Sequence, residues 1–374
     1  MRIGVDSRAL AERPASGITF YARELIPRLA KLAQNDTLVL FSSGMRRSAR
    51  AVIPTLSESE VTSCHIRVPN KLFNSSLSIL HRPQLDRLCG ASDIFFAPNL
   101  HFLSVSRSCK FVVAIHDLSF VHFPHLYSFK GRLWHKSIRP RALLERADAV
   151  IAMSEATKRD VVETYGIESK KITVIYSGFN LESVNDHVEI PGSNGQKKKY
   201  FFALGGADER KNISAAIEAY RMLPHDMQNE YDFNIAGKAL WKTDSAAKKS
   251  AKHTPGVHFL GYITQQKKLK YLKGATALVY PSVYEGFGLP LLEAMSVGTP
   301  VITSNVSSMP EVVGDAAILI DPHDVSTISE AMRNIISDPE LHKTYTLRGN
   351  ERVKKFTWDK TAQETYALFQ QLMS

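Results

Sequence analysis

Two glutamates, Glu285 and Glu293, stand eight residues apart on either side of the stretch Gly286-Phe287-Gly288-Leu289-Pro290. The run Ala277 to Tyr280 just upstream is apolar, so the segment reads strand, glycine loop, helix. Glycines let backbone come close to a ligand, and Pro290 suits a first helical turn. Amides at such a helix start, aided by the helix dipole, form an anion site for which a diphosphate is the natural occupant. Glu293 can then accept hydrogen bonds from a ribose diol, and Glu285 faces whatever the diphosphate carries. The plainer alternative is a tight turn with a glutamate that complements the dipole. A retaining glycosidase pair is disfavoured, because its carboxyls stand about 5 Å apart while eight helical residues rise about 12 Å.

A second cluster, Gly205-Gly206-Ala207-Asp208-Glu209-Arg210-Lys211-Asn212, also follows an apolar run. Its glycines admit a ligand, and Arg210 and Lys211 can neutralise a departing diphosphate. Charge-assisted hydrogen bonds contribute about 1.5 to 3 kcal/mol each, so two cations supply several kcal/mol toward developing negative charge. A solvated Arg-Lys pair at a helix start is the alternative. Ser16-Gly17 lies between the first expected strand and helix, where Gly17 leaves room at the helix start for a phosphate or an acceptor. His116-Asp117 ends another apolar run, the usual place for a catalytic side chain in a parallel sheet; Asp117 either orients the His116 ring or turns the chain. Gly237-Lys238 follows a further run and can approach a nucleotide from the side, or simply turn the backbone.

These loops need strands to hold them. Arg2 to Asp6, Thr37 to Phe41, Ile94 to Ala97, Phe111 to Ile115, Ala149 to Met153 and Ile172 to Tyr176 read as strands of one parallel sheet, alternating with amphipathic helices such as Thr19 to Ala33. The alternation restarts with Tyr200 to Leu204, Tyr231 to Ala236, Val257 to Leu260, Ala277 to Tyr280, Pro300 to Thr303 and Ala317 to Ile320. The expected organisation is an amino-terminal domain (1–180), a polar linker (181–199), a carboxyl-terminal domain (200–356) and a closing helix (357–374) that packs back on the first domain. The fold class is α/β, two Rossmann-like doubly wound domains. A ligand crevice is expected where they present the carboxyl ends of their strands.

The glutamate pair around Tyr284-Glu285-Gly286-Phe287-Gly288-Leu289-Pro290 resembles the E-x-seven-E motif of the retaining glycosyltransferases of family four, which have the GT-B fold. Gly298-Thr299-Pro300-Val301-Ile302, Pro310-Glu311-Val312 and Asp321-Pro322 extend the resemblance, so that it covers nearly the whole chain. It implies that Glu285 contacts the donor sugar, that Arg210 and Lys211 belong to an R-K-N phosphate-binding stretch, that Gly17 faces the donor, and that His116 sits beside the transferred sugar. Many relatives carry an arginine after the first glycine of the second cluster, where this chain has Gly206. Ile3-Gly4-Val5-Asp6, His116-Asp117-Leu118-Ser119-Phe120 and Glu209-Arg210-Lys211-Asn212 are most similar to bacterial mannosyl- and rhamnosyltransferases of surface polysaccharide synthesis. The implied reaction is retaining transfer of a hexose from a GDP-sugar to a saccharide or lipid-linked acceptor. No cofactor or metal is expected, in keeping with the lack of an Asp-x-Asp signature.

Composition narrows the alternatives. With 374 residues, 44% hydrophobic, the chain has material for large cores. Three cysteines, Cys64, Cys89 and Cys109, have no C-x-x-C spacing, which argues against a disulfide framework or zinc cage and for a reducing, cytoplasmic setting. Met1 to Asp6 enters a strand at once, so no secretory leader is expected, and no apolar run reaches the roughly 18 residues a membrane span needs. A net charge of +10 attracts anionic partners. Basic residues are spread out instead of alternating with stacking aromatics on one face, which counts against a nucleic-acid module. The basic and apolar stretches at Lys71 to Arg87 and Arg132 to Arg146 read as a solvated face, or as a contact with the inner leaflet of an anionic membrane. An epimerase or hydrolase of the same fold is the other enzymatic alternative.

Overall fold

The computed structural model describes residues 1–11, 16–45, 61–180, 198–206, 208–237 and 254–374. The chain forms two compact units, one of Met1–Gly178 with Phe356–Ser374, the other of Phe179–Lys355. Among the described residues of 181–199, the segment read as a linker, only 198 and 199 appear.

The first unit holds a seven-stranded, wholly parallel sheet of β1 (Arg2–Asp6), β2 (Thr37–Ser43), β3 (Thr62–Ile66), β4 (Ile94–Ala97), β5 (Lys110–Ile115), β6 (Ala149–Ala152) and β7 (Ile172–Val174), in the order β3-β2-β1-β4-β5-β6-β7. Every residue of β4 and β6 is buried, as a strand covered on both faces requires, and this explains their uniformly apolar sequences. The helices that cover the sheet include α1 (Gly17–Leu32), α2 (Asn70–Ile79), α3 (Phe129–Ile138), α4 (Pro140–Arg146) and α5 (Glu155–Tyr165). Ser16 caps α1 reciprocally: its hydroxyl accepts from the Thr19 amide (3.2 Å), and its own amide donates to Thr19 Oγ1 (3.1 Å). β3 was not legible as a strand. It is an edge strand of polar residues, Thr62-Ser63-Cys64-His65, partly exposed along its length.

The second unit holds a six-stranded parallel sheet of β8 (Lys199–Leu204), β9 (Tyr231–Ala236), β10 (Val257–Gly261), β11 (Ala277–Tyr280), β12 (Val301–Ser304) and β13 (Ile318–Ile320), in the order β10-β9-β8-β11-β12-β13. Around it lie α6 (Ile213–Arg221), α7 (Gln265–Gly274), α8 (Leu289–Ser296), α9 (Val325–Ser337) and α10 (Pro339–Val353).

The last helix, α11 (Trp358–Met373), belongs to the first unit. Trp358 is buried against Phe20 and Tyr21 of α1, and Phe369 against Phe96 of β4. Arg28 pairs with Asp359 at 3.0 Å, and Thr361 donates to the Tyr176 carbonyl at 2.8 Å. Gly178 permits this return, since a Cβ there would stand 2.4 Å from the Trp358 amide nitrogen.

Candidate active site

In the second unit the chain runs from β8 outward to β9 and β10, then crosses back to β11 on the other side of β8. The loops after β8 and β11 therefore flank a topological switch point, the usual ligand position in such sheets. There, Lys211 from the first loop meets Glu285 from the second, Nζ to Oε1 at 2.5 Å, although 74 residues separate them. Tyr280 at the end of β11 donates its hydroxyl to the same Oε1 at 2.8 Å, and Ser282 does so at 2.7 Å. Burial and the Glu285 charge push the Tyr280 phenol well above its ordinary pKa, so it remains a donor. The Lys211 ammonium lies 2.5 Å from the Tyr280 oxygen and 5.0 Å from the ring centre, which puts it at the edge of the phenol, not over its face. Among the described residues every hydrogen bond to this carboxylate runs to Oε1, and Oε2 receives none.

Arg210 turns the other way. Its Nε and Nη2 fork onto Asp208 Oδ1 and Oδ2 at 3.1 and 2.7 Å. Burial pushes the Asp208 carboxyl up, and the hydrogen bonds and charge of Arg210, with Lys211, more than offset this and hold it below the usual carboxylate range. Each of the two expected phosphate cations thus already faces a carboxylate, and the set Asp208, Arg210, Lys211 and Glu285 is neutral as a whole. Glycines shape the floor. A Cβ on Gly205 would stand 2.4 Å from Lys211 Cβ, and one on Gly237 would stand 2.4 Å from the Gly206 nitrogen. Gly237 and Gly288 also adopt φ of +153° and +111°, conformations that side chains disfavour. Lys238 lies outside the described residues.

Glu293 sits on α8, which opens at Leu289 and Pro290 after Gly288. Its Oε1 accepts from Lys268 Nζ at 2.6 Å and from Gln265 Nε2 at 3.2 Å, while Oε2 is buried with no partner among the described residues. Each glutamate of the motif therefore has its own lysine. Two serines that sequence reasoning passed over hold the loop. Ser308 donates to the carbonyls of Glu285 and Phe287 at 2.9 and 2.8 Å, and the Ser307 hydroxyl accepts from the Glu285 amide and donates to its carbonyl. The run Ser307-Ser308 just ahead of the flagged Pro310-Glu311 was the available signal.

In the first unit the switch point lies between β1 and β4. Gly17, with Ser16, opens α1, and a Cβ there would meet nothing within 4 Å among the described residues. His116 follows β5. Its Nε2 lies 2.8 Å from the Pro98 carbonyl, which can only accept, so Nε2 carries the proton and Nδ1 the lone pair. Burial lowers its pKa, only partly offset by that hydrogen bond and by Asp117, and Tyr21 meets the ring edge-on at 4.9 Å. The imidazole is therefore neutral near pH 7. Of the two roles open to Asp117, the structure shows the turn: Oδ1 accepts from the Ser119 amide and hydroxyl at 2.8 and 2.6 Å. A further cluster at the end of β1 was missed. Arg8 forks onto buried Asp6 at 2.9 and 2.7 Å, keeping that carboxyl below its usual range despite burial, and His101 nearby is lowered to about 4, first by burial and then by Arg8. Among the described residues no group of three or more His, Cys, Asp or Glu could hold a metal ion.

Two parallel doubly wound units define the GT-B architecture, and solved structures agree. Sucrose-phosphate synthase from Thermosynechococcus elongatus matches with a TM-score of 0.70 at 20% identity, over 100% of this chain and 99% of that one. HepE from Anabaena, solved with UDP and glucose, matches with a TM-score of 0.68 at 16% identity, over 99% of this chain and 100% of that one. Residues 187–352 match the glycosyl transferases group 1 family and residues 15–183 match glycosyltransferase family 4. The O-antigen chain mannosyltransferase B of Escherichia coli is 30% identical over 372 residues, covering 94% of this chain and 95% of that protein. The chain belongs to the group 1, family 4 glycosyltransferases.

Proposed function

We propose that this glycosyltransferase moves mannose, or a deoxy relative, from a GDP-sugar to a saccharide or lipid-linked acceptor in surface polysaccharide synthesis, with retention at the anomeric carbon and without a divalent ion. The reaction is assigned to the cytoplasm, at the inner face of the membrane. The observation that carries this reading is the Lys211–Glu285 contact at the switch point of the second sheet. A diphosphate arriving there is a stronger ligand for Lys211 than one carboxylate is, because it offers more negative charge and more acceptors. Transfer of Lys211 to the leaving group frees Glu285 for donor sugar hydroxyls, with Tyr280 and Ser282 still orienting it. Arg210 contributes by exchanging Asp208 for phosphate, and backbone at Gly286 to Leu289 adds its amide dipoles. Glu293 Oε2, buried and without a donor among the described residues, suits a ribose hydroxyl. Neutral His116 offers its Nδ1 lone pair to a hydroxyl of the transferred sugar. Among the described residues nothing packs closely enough at Gly17 to demand glycine, which supports a ligand as the reason for it.

The mannose assignment draws on the name of the E. coli relative and on the sequence resemblance, and the GDP assignment on the resemblance alone. The test is a donor screen with mass detection of released nucleotide, run with and without saccharide acceptors and with a chelator. GDP release from GDP-mannose that requires acceptor and survives chelation is expected. Release without acceptor marks a hydrolase, an isomerised sugar marks an epimerase, and loss of turnover on chelation overturns the metal-free mechanism.

A further inference from the structure

A cavity of about 220 Å³ opens in the first unit, with Arg8, Ser43, Asn70, Asn74 and His101 in its lining. Arg8 follows β1, Ser43 ends β2, His101 follows β4, and the two asparagines lie in the first turns of α2. In a wholly parallel sheet these strand ends share one edge, and it is the edge at which His116 follows β5. A short segment joins the two places. The Pro98 carbonyl holds His116 Nε2 at 2.8 Å, and His101 stands three residues further on, a span of at most about 11 Å. Neither His116 nor Gly17 lines the cavity, so its occupant is not the sugar beside His116.

The lining is polar and offers no unbalanced charge. Among the described residues no Asp or Glu faces it, and its one cation, Arg8, is already forked onto Asp6 and donates a further bond to the Phe102 carbonyl at 2.9 Å. His101 is neutral near pH 7, since burial holds its pKa at about 4. Its Nδ1 accepts from the Phe102 amide at 2.8 Å, so Nε2 carries the proton, and that N–H has no acceptor among the described residues. Asn70 accepts from the Ser43 hydroxyl at 3.4 Å, and Asn74 makes no side-chain hydrogen bond among the described residues. An asparagine amide offers donor and acceptor side by side, and each hydroxyl of a sugar does the same. Such a set complements a ring of hydroxyls and gives a phosphate or a carboxylate no counter-charge. At about 220 Å³ the cavity falls below the roughly 300 Å³ at which sites for drug-sized ligands begin, which fits a single monosaccharide unit.

We infer that this cavity seats an uncharged sugar unit of the acceptor glycan, the neighbour of the unit that receives the transferred sugar, and that Asn70, Asn74 and His101 thereby select acceptors that carry no uronic acid or phosphate at that unit. The inference rests on the reading of the acceptor as a saccharide and is independent of the donor sugar and nucleotide assigned above.

The test is nuclear magnetic resonance of the full chain with isotope-labelled histidine, in which the His101 ring signal is identified by its loss in His101→Asn. The probes are methyl α-mannoside, methyl α-galactoside and methyl β-N-acetylglucosaminide, with methyl β-glucuronide at matched ionic strength as the charged counterpart. At least one neutral glycoside is expected to shift the His101 signal saturably, and the glucuronide is not. Asn70→Ala with Asn74→Ala should weaken that binding about tenfold, with thermal melting and the calorimetric affinity for GDP unchanged. Silence of His101 toward all three neutral glycosides, an equal response to the glucuronide, or wild-type affinity in the asparagine pair would overturn the inference. The readout needs no turnover, so a negative donor screen sinks the transferase reading above, while a silent His101 beside a positive screen sinks this inference alone.

Discussion

If Lys211 is shared between Glu285 and a diphosphate, then Glu285→Gln should tighten binding of free GDP while it impairs transfer. The lysine and carboxylate side chains are 17% and 12% exposed, so their 2.5 Å contact is a shielded, charge-assisted hydrogen bond of about 1.5 to 3 kcal/mol. Glutamine keeps the shape and can still accept from Lys211, but as a neutral group worth about 0.5 to 1.5 kcal/mol. The difference, about 1 to 1.5 kcal/mol, no longer opposes release of Lys211 to the ligand, which corresponds to roughly five- to tenfold tighter binding. GDP is the proper probe because it lacks the transferred hexose that Glu285 would touch. Calorimetric titration of wild type, Glu285→Gln, Lys211→Met and the double variant forms a cycle. Lys211→Met should weaken GDP about tenfold or more, and the glutamine should bring no gain in its presence. Weaker or unchanged GDP binding by Glu285→Gln, or the same gain with and without Lys211, would show that the two sites do not compete for the lysine.

In the transfer assay, Glu285→Ala should lower kcat by about a hundredfold or more, read against a largely retained melting temperature, because its side chain makes hydrogen bonds to Lys211, Tyr280 and Ser282 and no apolar core contact. His116→Ala should reduce kcat more than it weakens GDP binding; if affinity for GDP collapses, His116 serves the nucleotide instead. Acid stability offers a third check. His101 has a folded pKa of about 4 against an ordinary 6.5, so the unfolded chain binds the extra proton and stability falls as pH drops from 6.5 toward 4. Roughly 2 kcal/mol should be lost in that window, allowing for partial exposure of the ring, and urea unfolding of His101→Asn should show a shallower decline. Gly178→Ala, which would thrust a Cβ against the Trp358 backbone, should destabilise the first unit by about 1 to 3 kcal/mol in the same assay.

Legibility followed burial and sequence distance. Strands such as Ile94–Ala97 and Ala277–Tyr280 could be read to the residue because both faces of a parallel sheet are covered and the sequence shows this as unbroken apolarity. Thr62–Ile66 escaped because an edge strand needs no such run. The helix starts at Ser16, Ser154 and Thr357 rest on local capping chemistry, which acts over three residues, yet the first helix, expected from Thr19, opens two residues earlier at Gly17. The site residues were readable as types: glycines after strands, cations beside them, acids around a loop. Their partners were not. That Lys211 would hold Glu285 depends on β8 lying beside β11, a tertiary fact with no local trace, whereas Arg210 holds Asp208 within its own loop, two residues away. The Asp6–Arg8–His101 cluster was hidden for the same reason, since His101 reaches it only through the pairing of β1 with β4.

The return of the chain from the second unit to α11 also bears on biogenesis. Trp358 and Phe369 pack against Tyr21 and Phe96 of the first unit. During synthesis, the amino-terminal sheet emerges from the ribosome without them and must wait, hydrophobic and unfinished, until the second unit has been made. The second unit, drawn from one continuous stretch, has no such delay and should reach its native form first. Truncation just before Phe356 would accordingly leave the second unit whole and harm the first.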